Sequence, residues 1–186
     1  PAKVPEHVDN YVNYQNAITG WGVDKDELIR QSERCYHWQR AMNVWMGRGR
    51  RKDDWIPFRS MGPVTKTEYL SRADRYDKQL AGILGKGIEE IKALRVEERM
   101  EIIYAHRRNE YEKLADAVYH RRGWTPNGVP TPQKLRSLGL GDETKMLEML
   151  QQVIDADEKA GLNAWGGRYK DGEAPPATEP RYWEKW

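Results

Sequence analysis

Tyr119-His120-Arg121-Arg122-Gly123-Trp124-Thr125-Pro126-Asn127-Gly128-Val129-Pro130-Thr131-Pro132, continued by Leu135-Arg136-Ser137-Leu138-Gly139-Leu140, is the stretch from which the fold is read. A helix arriving through Tyr119 has to stop at Gly123, because glycine enters the left-handed conformation that closes a helix without a side-chain penalty. Pro126 and Pro130 then keep the chain out of helix, and Asn127-Gly128 suits a tight turn or a small hairpin. Thr131 stands where its hydroxyl can cap a new helix whose first turn holds Pro132.

Working upstream, Met100, Ile103, Tyr104, Arg107, Tyr111, Leu114, Val118 and Tyr119 keep helical spacing from Val96 to Arg122 with no glycine or proline between them. At about 1.5 Å per residue, one helix of roughly 40 Å is expected there. Downstream, the short helix to Leu138 is followed by one from Asp142 to Lys159 that carries Met146, Leu147, Leu150, Val153 and Ile154, closed by Gly161. Nearer the N-terminus, a short helix is expected from Pro5 to Ile18, ended by Thr19-Gly20. Asp24, with Glu27 three residues on, predicts the start of the next. Leu28, Cys35, Met42 and Trp45 form its apolar stripe, with Ile29, Tyr36 and Trp38 beside it, up to Gly47. Gly47 to Pro63 reads as an ordered loop. Thr65-Lys66-Thr67-Glu68 is a capping box that opens a helix through Tyr69, Ala73, Tyr76, Leu80 and Ile83 to Gly85, and Gly87 to Leu94 adds a turn or two. Strand-type alternation is lacking, so the expected class is all-α: an irregular multi-helix bundle with one long central helix and an extended aromatic C-terminal arm. The expected division is 1–161 for the helical domain and 162–186 for the arm, packed by Trp165, Trp183 and Trp186.

Composition narrows the function classes. The 186 residues fit one domain, and eight Trp with ten Tyr supply buried area that aliphatic residues would otherwise provide. Mean hydropathy is low, at −0.94. A net charge of +2 argues against nucleic acid as the partner, and any basic character must be local. The single cysteine, Cys35, excludes an intrachain disulfide and a site built from several thiolates, and fits a reducing compartment. No apolar run is long enough to span a membrane and no signal-peptide pattern opens the chain, so a cytoplasmic, soluble protein is expected. Pro1 in place of methionine leads to the expectation of a processed terminus or a piece of a longer polypeptide.

Catalytic groups are sparse. His120 follows Asp116 by four residues on the long helix, which permits an Asp–His pair but is an ordinary exposed helix pairing. Cys35, on the apolar stripe, reads as an inert core thiol. The carboxylate runs Glu89-Glu90, Glu97-Glu98 and Asp155 to Glu158 read as solvated helix faces. The one concentrated positive site is Arg48, Arg50, Arg51 and Lys52 among Gly47 and Gly49, able to hold a phosphate, a CoA tail or a nucleic-acid backbone. Adjacent Asp53 and Asp54 favour plain charge neutralisation instead. Trp38 and Trp45 could stack on a flat ring, although core packing is the commoner use of such residues. The candidates for a substrate-channel wall or an anion contact are Arg48, Arg50, Arg51, Trp45 and His37.

A second pattern runs through Thr19-Gly20, Glu27-Leu28, Ser32-Glu33-Arg34, Arg40, Asn43, Asp53-Asp54, Pro57 and Arg59. In this order, and followed by Arg122-Gly123-Trp124 and Leu138-Gly139-Leu140, it resembles the C-terminal part of the aldehyde ferredoxin oxidoreductase family, over about residues 9 to 140 by the order of the two motifs. Ser32 stands where that family has glycine, Trp45 where it has arginine, and the Asn43–Asp53 loop is one residue longer. The helical insertion Tyr69–Asn109 looks more like the branch with the tungsten subunit of class II benzoyl-CoA reductases. The resemblance implies a tungsten- or molybdenum-pterin enzyme with a 4Fe–4S cluster, acting in aldehyde oxidation or aromatic acyl-CoA ring reduction. It also implies N-terminal cofactor domains and a ferredoxin or other electron-transfer subunit as partners. The family's Asp-x-x-Gly motifs and cluster cysteines are not found in this chain, so the expectation is a helical portion that binds no cofactor and is silent alone. The competing expectation is a stand-alone helical protein-interaction module.

Overall fold

The computed structural model describes residues 5–165. Eight α-helices follow one another: α1 Pro5–Thr19, α2 Lys25–Trp45, α3 Lys66–Leu70, α4 Ala73–Leu84, α5 Ile88–Ala93, α6 Val96–Arg121, α7 Pro132–Ser137 and α8 Thr144–Lys159. Short 3₁₀ turns lie at Arg51–Asp54 and Phe58–Met61. Among the described residues there is no strand, only an isolated antiparallel bridge between Trp124 and Pro130. The all-α expectation holds. Of the expected C-terminal arm, 162–165 are described, and 166–186, with Trp183 and Trp186, lie outside the described residues. No helix is long and apolar enough to cross a membrane, among the residues described.

Local chemistry sets most helix ends. The Asp24 carboxylate accepts from the Glu27 N–H at 2.8 Å and caps α2. The Thr65 hydroxyl accepts from Glu68 N at 3.1 Å ahead of α3, and the Thr131 hydroxyl from Lys134 N at 3.2 Å ahead of α7, with Pro132 in its first turn. The single helix expected from Lys66 to Leu84 is broken into α3 and α4. Ser71 bonds back through its hydroxyl to the Glu68 carbonyl at 2.8 Å, a local alternative that competes with helix continuation, and Arg72 leaves the helical region.

The described residues form two compact units: those of 1–53 with those from 117 onward, and 54–116. In the first, α2 packs on α1 and α8, and α7 on α8. Its core gathers Ala41, Val44, Val129, Leu135, Met146, Leu147, Leu150 and Ile154, with Trp38 partly buried against it. In the second, α4 packs on α3 and α5 around Tyr69, Tyr76, Leu80, Ile91 and Ile103. Within that core the Tyr69 hydroxyl donates to Asp77 at 2.6 Å, and Arg99 reaches the same carboxylate oxygen at 2.9 Å. Burial, and then the bond to Asp77, raise the Tyr69 phenol above its ordinary range.

One helix faces the core differently from the sequence expectation. The buried residues of α2 are His37, Arg40, Ala41 and Val44, whereas Cys35, Met42 and Trp45 are exposed. Cys35 is therefore not an inert core thiol. The apolar stripe was the wrong guide because the core-facing side of α2 carries polar side chains that bond to backbone carbonyls of the Arg122–Gly128 segment.

Candidate functional site

Two arginines, Arg40 and Arg51, hold the backbone of the Gly123–Pro132 segment, and His37 meets the Arg122 carbonyl just before it. Gly123, at φ +66°, turns the chain out of α6, and the Thr131 hydroxyl donates to its carbonyl at 2.9 Å. Gly128 N donates to the Thr125 carbonyl at 2.8 Å, closing a β-turn with Pro126 and Asn127 at its centre. Arg40 Nε donates to the Gly128 carbonyl at 3.0 Å while its guanidinium lies 4.6 Å from the centre of the Trp124 ring system. Arg51 donates from its side chain to the Pro126 carbonyl at 2.9 Å and from its backbone N to the Asn127 carbonyl at 3.0 Å. Asn127 Nδ2 donates to Asp157 Oδ2 at 2.8 Å, and Arg50 pairs with Asp157 Oδ1 at 2.5 Å. Asp157 is buried, so these two donors offset the cost of taking its charge out of water.

These contacts sort the arginine candidates. Arg50 and Arg51 are engaged in holding the turn and α8, with Asp157 as the acid that meets Arg50, in place of the adjacent Asp53 and Asp54 alone; Arg50 N does also donate to Asp53 at 3.0 Å. Arg48 is exposed, and its backbone N closes the end of α2 on the Asn43 carbonyl at 2.9 Å. Trp45 is also exposed. The sequence cluster is thus divided in space between an inward pair and an outward residue.

His37 is buried, with Nδ1 2.8 Å from the Glu33 carbonyl and Nε2 2.9 Å from the Arg122 carbonyl. Both neighbours are backbone carbonyls, one on each side of the ring. The residue thereby ties α2 to the end of α6. Asp116 is buried and His120 exposed, with the His120 ring 5.9 Å from Trp165.

Beside His37, α1, α2 and the last turn of α6 border an open groove of about 790 Å³. Its walls are apolar and aromatic, from Val8, Tyr11, Ile18, Leu28, Ile29 and Tyr36, and Arg121 and Arg122 stand at its edge. The Arg122 guanidinium lies 3.8 Å from the Tyr36 ring centre, and Tyr36 stacks on Trp124 at 5.8 Å with the planes 8° apart. Sequence reasoning missed Arg122, Tyr36 and Asp157 as members of these assemblies. The only signal was the position of Arg122 one residue before the helix-ending glycine.

Compared with known proteins, residues 1–140 match a family model described as aldehyde ferredoxin oxidoreductase, domains 2 and 3. No curated protein and no solved structure matches the chain.

Proposed function

This chain belongs to the aldehyde ferredoxin oxidoreductase family, and from that premise we propose that it is the C-terminal helical portion of a tungsten- or molybdenum-pterin, iron–sulfur oxidoreductase. Its work there is to line the substrate channel and to buttress the domains that hold the cofactors. The observation that carries this reading is the family match over residues 1–140.

The chain's own donors do not fit an iron–sulfur cluster. A 4Fe–4S cluster takes four thiolates and this sequence has one cysteine. Among the described residues no three His, Cys, Asp or Glu side chains gather to hold a metal. No chemical step is therefore assigned to residues of this chain. What helices of this kind supply is shape and exclusion of water, which strengthens electrostatic interactions at a neighbouring reaction centre and protects reactive intermediates. The reaction is aldehyde oxidation or the reduction of an aromatic acyl-CoA ring, and the Tyr69–Asn109 insertion favours the second. Ferredoxin or another electron-transfer subunit would be the redox partner, in the cytoplasm. Arg48 and Trp45, being exposed, remain available as anion or channel contacts.

Metal analysis tests the reading. The purified 186-residue chain is expected to contain no tungsten, molybdenum or iron, and the complete enzyme to contain a pterin metal and iron and to oxidise an aldehyde or reduce an aromatic acyl-CoA. Stoichiometric metal in the isolated chain, or none in the complete enzyme, overturns it.

A further inference from the structure

We draw no further inference here: the strongest candidate, the apolar groove of about 790 Å³ bordered by α1, α2 and the last turn of α6, carries nothing because nothing in the structure shows what covers it.

Discussion

At the scale of single residues, Gly128 shows how closely the turn is fitted. Its φ is +81°, and a β-carbon there would stand 2.5 Å from Arg40 Nη2 and 3.1 Å from the Tyr119 ring. Gly128→Ala therefore combines left-handed backbone strain with displacement of the arginine that holds the Gly128 carbonyl. A loss of about 2–4 kcal/mol is expected, read as a lower urea midpoint, from the cost of strain at such a position together with a lost buried hydrogen bond. An unchanged midpoint would show that the turn is not held as described. The glycine and the prolines were legible in the sequence because backbone constraints are local. The partners were not: Arg40 meets a carbonyl 88 positions away, and Arg50 an acid 107 positions away. Charge spacing along a chain says nothing about pairing at that range.

At the scale of elements, caps and stops were legible and faces were not. Asp24, Thr65 and Thr131 cap α2, α3 and α7 as their sequence positions predict, because each acts within three residues. The face of α2 was misread, since hydrophobic periodicity assumes an apolar interior and here His37 and Arg40 occupy it by bonding to main-chain carbonyls. The α3–α4 break was hidden for a similar reason, as apolar spacing carries no trace of the Ser71 back-bond. A pH dependence belongs to this scale, because Tyr69 of α3 binds Asp77 of α4, which binds Arg99 of α6. The Tyr69 pKa is raised on folding, so its contribution to stability is whole below the unfolded-state value of about 10 and is lost as pH climbs from there towards the folded value. Thermal melts followed by circular dichroism should be level near pH 8–9 and fall above about pH 10. Tyr69→Phe should flatten the alkaline fall. An equal fall in that variant would assign the effect to other groups.

At the scale of the whole molecule, the all-α class was legible from rhythm and punctuation, while the division into two units was not. The long helix α6 runs through residue 116, where the first unit resumes, and nothing in its sequence marks the change. The net charge of +2 says only that basic character must be local, and within the basic loop Arg50 and Arg51 are turned to structural work. The exposed α1–α2 face has its own expected consequence for the isolated chain. Folded by the near-ultraviolet signal of its tryptophans, it should bind the apolar dye ANS, and Tyr14→Glu with Ile18→Glu should remove most of the fluorescence gain. Equal binding by the variant would place the sticky surface elsewhere. The order of the two units along the chain also bears on biosynthesis. Residues 54–116 are contiguous, so that unit has all its segments once Asp116 has left the ribosome. The other unit must hold α1 and α2 in waiting until α8 has emerged, and in that interval its unfinished apolar surfaces are the ones open to a chaperone.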